Sequence, residues 1–284
     1  MTDTYQTLLA NLKNNQQSGA TELALTTLQA LQQYLQDAAP QTADELTAIA
    51  EELAAARPSM IALGNVLHRW LEHSPASTQP EQFKSDYLHN LENIRQQLQQ
   101  TRDKVALNTC ELIKPDMTIL THSRSSQVLA LFEQLVKQQT PFAVIITISA
   151  PGNEGLLVAQ QLNQWQVPTT VITDAELGLF MPEADINISG CDSWLTDHHF
   201  VNKSGTLLQA LAAQHFGKPF WVLADSFKNS HHNSRQITLE SMPADEMQVP
   251  NGEFIQARNI YFETISTRLI SGRVDEHGVQ SGQL

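Results

Sequence analysis

Residues 190–206 read GCDSWLTDHHFVNKSGT and stand between a short apolar run, DINIS (residues 185–189), and a longer run, GTLLQALAAQHF (residues 205–216). The first run is short and β-rich, as in a buried strand, and the second is long enough for a crossover helix. The same alternation continues on both sides, with strand-like MTILTH, FAVIITIS, TTVIT and PFWVLA and helix-like QVLALFEQLVKQ and EGLLVAQQLNQW. Strands that alternate with helices predict an α/β fold with a Rossmann-like, mostly parallel, doubly wound sheet.

The chain before this region differs in composition and in the spacing of its apolar residues. From residue 2 to about residue 101 it is rich in Leu, Ala and Gln, and apolar residues recur every three or four positions, which indicates helices. Pro40, Pro58 and the segment HSPASTQPEQ (residues 73–82) interrupt this pattern, so we expect several helices joined by loops. A chain of 284 residues is long enough for two cores. We predict a helical N-terminal domain over residues 1–104 and a Rossmann-like domain over residues 105–284.

The net charge narrows the class of partner. The 17 Lys and Arg residues and 30 Asp and Glu residues give a formal charge of −13, which argues against a nucleic-acid partner. A local cationic pocket for a small anion is still compatible with an acidic chain. The N-terminal segment lacks a basic stretch followed by an apolar run, and no run approaches the roughly 20 apolar residues of a membrane span. With two cysteines and no disulfide framework, we expect a cytoplasmic protein without a membrane partner.

The loops that follow the predicted strands are where we expect the chemistry, because ligands of doubly wound sheets bind beyond the carboxyl ends of the strands. Four such loops carry suitable polar residues: HSRSS (residues 122–126), GNEG (152–155), GCD (190–192) and NKSGT (202–206). We predict that NKSGT opens a helix, whose free backbone N–H groups beside Lys203 form an anion site. The alternative interpretation is that Ser204 caps the helix and Lys203 is solvated.

Asp192 stands at a strand end beside Gly190. A partly desolvated carboxyl at this place would have a raised pKa, which suits general-acid catalysis. The competing interpretation is a turn residue whose side chain bonds its own backbone. The residue pattern by itself leaves both interpretations open.

Signatures of cofactors and metals are missing from the sequence. The GNEG loop superficially resembles a dinucleotide-binding turn but lacks the GxGxxG pattern, so NAD is not expected. The histidine pairs at residues 198–199 and 231–232 follow no HExxH pattern, and adjacent histidines tend to diverge in direction. Ser123 lies in no GxSxG elbow, which argues against a serine hydrolase. We therefore predict neither a metal nor a cofactor.

Several motifs, taken in chain order, resemble those of one known family. They are ARPSM (residues 56–60), TILTHS (118–123), GCDS followed by NKSGT (190–206), ADSFK (224–228) and NIYFET (259–264). The chain resembles, from about Arg57 onward, the family of methylthioribose-1-phosphate isomerase, ribose-1,5-bisphosphate isomerase and the alpha, beta and delta subunits of translation initiation factor 2B. The pair of GCDS and NKSGT is the most specific part, because the family keeps the same separation between its Asp and its Asn-Lys.

This resemblance implies a phosphosugar pocket and the conversion of an aldose 1-phosphate to a ketose 1-phosphate. An acid protonates the ring oxygen to open the sugar, and hydrogen then moves between C2 and C1. By position in the motifs, Asp192 is the acid and Ser123 is the second catalytic group. The residues implied to bind substrate are Arg57, Glu154, Asn202 and Lys203. Family members associate, so a homodimer or a larger oligomer is expected.

Departures from the family pattern leave more than one function open. Isomerases of the family place a catalytic Cys where this chain has Ser123, and a hydroxyl is a far weaker acid than a thiol. One Arg of the pattern is Ala150 here, and another is Ser193. Cys191 does not replace the thiol if Asp192 faces the pocket, because adjacent strand residues point to opposite faces. The chain is thus either an isomerase or a non-catalytic sensor of a sugar phosphate or of a nucleotide such as AMP.

Overall fold

A helical N-terminal region precedes an α/β region in the computed structural model, which describes residues 3–15, 19–38, 40, 42–58, 60–73 and 80–282. Ser59 of the ARPSM motif and residues 74–79 of the predicted helix break lie outside the described residues. The helices of the N-terminal region are α1 Asp3–Asn14, α2 Ala20–Ala38, α3 Ala43–Ala55, α4 Ile61–Glu72 and α5 Pro80–Cys110.

These helices bury the apolar positions that recur every three or four residues. Leu28, Leu31 and Leu35 of α2 are fully covered and share one apolar cluster with side chains of the other four helices. In the same cluster, Trp70 of α4 donates its indole N–H to the carbonyl oxygen of Tyr87 in α5 at 2.9 Å. Because burial of each large apolar side chain stabilises by about 1.5–3 kcal/mol, this shared cluster joins the helices into one layer.

Helix α5 connects this layer to the α/β region. It is 31 residues long and runs across the predicted domain boundary between residues 104 and 105. Val105 of α5 lies in the apolar cluster that also holds Ile119 and Val128 of the α/β region. The division at residue 104 stays a prediction. Although α5 is long, no helix within the described ranges is both long and apolar enough to cross a bilayer.

Helices and strands alternate along the rest of the chain. The further helices are α6 Ser126–Lys137, α7 Glu154–Gln164, α8 Leu177–Phe180 and α9 Thr206–His215. The strands are β1 Met117–Thr121, β2 Phe142–Thr147, β3 Thr169–Ile172, β4 Ile186–Ser189, β5 Ser193–Trp194, β6 His199–Lys203, β7 Phe220–Leu223, β8 Ser241–Met242, β9 Asn259–Ile260, β10 Phe262–Ser266, β11 Gly272–Asp275 and β12 Gly278–Ser281.

The strand order of the main sheet reverses at one point, which is where doubly wound sheets bind their ligands. Within the described residues its strands follow the order β12-β11-β7-β4-β1-β2-β3, and all neighbours are parallel except β11 and β12. Apolar clusters with helices cover both faces, one with α6 and α7 and the other with α8 and α9. The predicted α/β fold with a mostly parallel sheet is confirmed. The chain builds from β1 to β3 and then returns to β4 on the other side of β1, so β1 and β4 flank a topological switch point.

A smaller antiparallel sheet, β10-β6-β5, carries the first two residues of the NKSGT motif. Asn202 and Lys203 end β6 and pair with Glu263 and Phe262 of β10. The prediction that these residues open a helix is therefore wrong. Helix α9 begins only at Thr206, after a turn in which Gly205 has a φ of 110°. That backbone conformation favours glycine, which explains the Gly of the motif.

Gly155 gives a direct test of how closely α7 approaches β2. A Cβ at this position would lie 1.9 Å from the carbonyl oxygen of Thr147, a backbone atom that cannot swing away. We expect Gly155→Ala to lower the free energy of unfolding by about 1–3 kcal/mol, as overpacked sites do.

The matched control is Gly178→Ala in α8, where nothing lies within 4 Å of the added Cβ. This change should be neutral or stabilising by up to about 1 kcal/mol, because alanine is the better helix former. Urea unfolding of both variants measures the difference. Equal stability of the two variants would show that α7 is not packed this closely.

Candidate functional site

A cleft opens at the switch point, where the loops after β1 and β4 meet the N-terminal region. Its walls include Ala20 at the start of α2, Arg57 before α4, and Asp192 after β4. The side chains that line it leave a cavity of about 40 Å³. This volume holds a few water molecules and is too small for a sugar phosphate. A ligand of that size therefore requires some of these side chains to move.

Asp192 is a buried acid in this cleft. The residue is 8% exposed, and its carboxyl accepts a hydrogen bond from the backbone N–H of Ala20. Burial raises the pKa of the Asp192 carboxyl, and the positive charges of Lys228, Arg57 and Lys203 oppose this rise only in part. The carboxyl bonds a backbone group of the N-terminal region, so it is not a simple turn residue.

Cys191 is directed away from this chemistry. The residue is 1% exposed and lies in the apolar cluster that includes Phe200 and Ala224. Burial raises the pKa of the Cys191 thiol to about 12. As expected from strand geometry, the thiol is in the core, and it supplies no nucleophile to the cleft.

Glu154, Lys203 and Ser123 form a hydrogen-bonded group. Glu154 is the first residue of α7, and its Oε1 lies 2.6 Å from the Lys203 Nζ and accepts a 2.7 Å bond from the Ser123 hydroxyl. The Lys203 ammonium also lies 3.8 Å from the centre of the Tyr261 ring, as in a cation–π contact. The structure thus brings together three residues that the sequence places on three separate loops.

Arg57 and Asn202 reach the cleft with most of their polar atoms engaged. The Arg57 Nε donates to Glu240 Oε2 at 3.2 Å, and another guanidinium nitrogen donates to the carbonyl of Asn15. The Asn202 amide nitrogen donates to the hydroxyls of Ser189 and Thr206 at 3.0 and 2.9 Å. Asn202 therefore joins the small sheet to the end of β4, and two of the three Arg57 guanidinium nitrogens already have protein partners.

The predicted anion site at the start of α9 is occupied by the protein itself. The backbone N–H groups of Gly205 and Leu207 both donate to Glu263 Oε1 at 2.8 Å. A carboxylate is stabilised at this end of a helix, so the chain supplies its own anion. The prediction of a free anion site here is wrong. The alternative interpretation, in which Ser204 caps the helix and Lys203 is solvated, is wrong too. Lys203 is buried, and the Ser204 hydroxyl donates to the carbonyl of Ile260.

Two residues of the cleft were missed as site residues in the sequence. Lys228 is 3% exposed and donates to the carbonyl of Cys191, and the ADSFK motif was its only sequence signal. His122 is buried, and its Nε2 lies 2.8 Å from the carbonyl of Ser204 while its Nδ1 lies 2.7 Å from the Thr147 hydroxyl. Burial lowers the pKa of His122, so its ring is neutral and Nε2 carries the proton. His122 thereby ties the loop after β1 to the turn before α9.

No three His, Cys, Asp or Glu side chains within the described part of the chain lie close enough together to bind a metal ion. The charges of the cleft instead neutralise one another directly. Lys203 faces Glu154 and Arg57 faces Glu240, both within ion-pair distance. Such an arrangement can bind an anion by exchanging an internal carboxylate for the ligand.

The pKa of Asp192 gives a prediction of stability against pH. Because the folded-state pKa is raised, the contribution of Asp192 to stability is present at low pH and is lost as the pH rises through the folded-state pKa. Asp192→Asn removes that loss. Thermal unfolding at pH 8 should give the variant a Tm a few degrees above the wild-type value.

The difference in Tm should shrink toward zero as the pH falls to the unfolded Asp pKa of about 3.9. Asp37→Asn, at an exposed position of α2, is the matched control and should shift the Tm by much less. A higher Tm for the wild-type protein than for Asp192→Asn at pH 8 would contradict the raised pKa.

The chain is similar in sequence to several known proteins. The family model described as the initiation factor 2 subunit family matches residues 16–281. A putative translation initiation factor eIF-2B subunit 2-like protein of Pyrococcus horikoshii is 32% identical over 236 residues, which are 83% of this chain and 81% of that protein. A ribose 1,5-bisphosphate isomerase of Haloterrigena turkmenica is 27% identical over 248 residues, which are 82% of this chain and 76% of the isomerase.

Solved structures share the whole architecture. The Pyrococcus horikoshii OT3 translation initiation factor eIF-2B superposes with a TM-score of 0.84 at 28% identity, covering 98% of this chain and 97% of that one. The 5-methylthioribose 1-phosphate isomerase of the same organism gives a TM-score of 0.81 at 18% identity, with 98% and 85% coverage, which shows a shared fold. The resemblance predicted from the motifs is confirmed, and the chain belongs to the initiation factor 2 subunit family.

Proposed function

We propose that this chain is an aldose–ketose isomerase that acts on a sugar of the ribose 1-phosphate type. The observation that carries the proposal is the buried Asp192 carboxyl, whose pKa is raised although Lys228, Arg57 and Lys203 act on it. A carboxyl with a raised pKa can hold a proton for donation closer to neutral pH. Cations beside it are suited to a phosphate group. An acid next to a phosphate site is what the opening of a sugar 1-phosphate requires.

The chemistry assigns a role to each part of the cleft. Asp192 donates its proton to the ring oxygen, the bond between C1 and that oxygen breaks, and hydrogen moves from C2 to C1. The C2 hydroxyl becomes a ketone when it loses its proton. Arg57 and Lys203 bind phosphate and sugar hydroxyls by exchanging Glu240 and Glu154 for the ligand. Asn202 also lines the cleft and, by its position in the motif, contacts the phosphate or a sugar hydroxyl.

The named relatives give independent support for the substrate class. Ribose 1,5-bisphosphate isomerases of Haloterrigena turkmenica, Haloferax volcanii and Archaeoglobus fulgidus are 25–27% identical to this chain over 240–264 residues. A relative of this kind acts on a pentose that carries a phosphate at C1. The cleft described here has the acid and the buried cations that such a sugar needs.

A second candidate is a non-catalytic sensor of a sugar phosphate or a nucleotide. Ser123 supports it, because an alcohol stands where isomerases of the family have a thiol. The similarity to eIF-2B subunit-like proteins of Pyrococcus supports it as well. In this role the internal ion pairs exchange for a ligand, and the sugar leaves unchanged.

Nuclear magnetic resonance with 13C-labelled ribose 1,5-bisphosphate and methylthioribose 1-phosphate distinguishes the two functions. For an isomerase, we expect a ketone carbon signal that grows with time in the wild-type protein. Asp192→Asn should lower the rate about 100- to 10,000-fold while ligand broadening persists, because only the proton donor is lost. The matched control is Asp37→Asn, which should leave the rate unchanged.

Broadening without a ketone would assign the chain to the sensor class. In that case a competition series between AMP and the two sugars identifies the ligand. The predicted homodimer also stays a prediction, and static light scattering at micromolar concentration measures it. Relatives such as the tetrameric eIF2B-beta2-delta2 complex from C. thermophilum do assemble.

A further inference from the structure

We propose that Glu154, and not Ser123, accepts the proton that the sugar loses during isomerisation. This inference rests on the isomerase function proposed above and reassigns one of its steps. Motif position makes Ser123 the second catalytic group and gives Glu154 only a binding role. The contacts of the two side chains indicate the opposite assignment, because Ser123 donates a hydrogen bond to Glu154.

Glu154 has the position and the free atom that a base needs. Its side chain is buried, and both of its polar contacts fall on Oε1, from the Ser123 hydroxyl and the Lys203 ammonium. Among the described residues no hydrogen bond to Oε2 is formed, and the one that Glu154 accepts falls on Oε1. A Cβ on residue 152 would lie 2.6 Å from Oε2, 3.2 Å from the Tyr261 hydroxyl oxygen and 3.4 Å from the Lys203 Nζ, so the glycine found there leaves room for these three polar atoms. Glu154 lines the cleft, and Oε2 is the carboxylate oxygen that the Ser123 hydrogen bond leaves available.

Ser123 is arranged as a hydrogen-bond donor. Its hydroxyl gives its proton to Glu154 Oε1 at 2.7 Å, and its backbone N–H donates to the Ser149 hydroxyl at 2.8 Å. Its φ of 64° lies in the left-handed region, where a residue persists only if its surroundings impose the conformation. An alkoxide on Ser123 would face a carboxylate oxygen, and repulsion between the two anions disfavours that state. Of the two groups, the carboxylate is the one that can take up a proton.

Lys203 couples this base to substrate binding. The ammonium lies 2.6 Å from Glu154 Oε1 and pairs with the carboxylate. A substrate phosphate competes for the same ammonium. When Lys203 turns to the phosphate, the Glu154 carboxylate loses its ion-pair partner at the moment when the substrate is in place.

The proposed step balances. Asp192 gives a proton to the ring oxygen, and the electron pair of the bond between C1 and that oxygen goes to the oxygen. The hydrogen on C2 moves to C1 with its electron pair. The C2 hydroxyl becomes a ketone as its proton passes to Glu154 Oε2. One proton enters from Asp192 and one leaves to Glu154, so no outside oxidant or reductant is required.

The experiment compares Glu154→Gln with Ser123→Ala in the full-length protein, with ribose 1,5-bisphosphate and methylthioribose 1-phosphate as substrates. The Gln variant keeps an oxygen for Ser123 and Lys203 but accepts a proton poorly. We expect its kcat to fall about 100- to 10,000-fold with KM changed much less. Ser123→Ala removes one charged hydrogen bond and should lower kcat only about tenfold. Melting temperatures check the fold of each variant.

Chemical rescue separates a base from a structural residue. Glu154→Ala leaves a space beside Lys203 that a small anion can enter, so added formate should restore part of kcat. Chloride at the same ionic strength is the matched control, because it can pair with Lys203 but does not accept the proton. Rescue by formate and not by chloride is the expected result.

Two outcomes would overturn the inference, and they are distinguishable. Turnover that survives in Glu154→Gln but disappears in Ser123→Ala would return the catalytic role to Ser123 and leave the isomerase function standing. A wild-type protein that forms no ketone from either sugar would remove the isomerase function and this step together. Ser123→Ala alone decides between the two residues if the Glu154 variants do not fold.

Discussion

The neutralisation of buried charge is the constraint on which the cleft depends. An ionised side chain buried without a partner costs several kcal/mol, so each cation at the switch point requires an anion or a carbonyl dipole from the protein. The pairs are Lys203 with Glu154, Arg57 with Glu240, and Lys228 with the carbonyl of Cys191. The members of these pairs are far apart in the chain. The cleft therefore forms only when the helical region, the strand-end loops and the C-terminal segment are all in place.

This constraint also shapes how the site can work. Because the internal carboxylates already occupy the cations, the phosphate of the proposed substrate would have to exchange with them, and this exchange would change the charge around the proposed catalytic groups. The change in charge would be largest at Glu154, because Lys203 is its ion-pair partner. At the start of α9 the exchange is absent, because Glu263 is fixed there by two backbone N–H groups. The same helix terminus that attracts phosphate in other folds serves here to hold β10 against α9.

The main elements of the α/β region were predictable because their signals are local. A parallel strand buried on both faces reads as a continuous apolar run, and a crossover helix reads as a longer run with a period near 3.6. The strand end at residues 202 and 203 was misassigned for the opposite reason. HFVNK pairs with β10, which lies about 60 residues later in the chain, and such a pairing leaves no trace in the local pattern. The passage of helix α5 from the helical region into the α/β region was missed for the same reason. The spacing of its apolar residues stays helical at the point where the helix leaves one apolar cluster and enters the next.

The amino-acid sequence by itself determined the fold class, the family and which loops bring residues to the cleft, because all three follow from local patterns and from motif order. It predicted Asp192, Lys203 and Glu154 as site residues, and the structure brings all three into one cleft. Only the tertiary structure decided what each of them touches. That Lys228 joins them, that Ser123 donates to Glu154 and that Glu263 fills the start of α9 are properties of contacts between distant segments. Charge pairing and desolvation depend on distances of a few ångströms in the folded chain, and spacing along the sequence does not encode these distances.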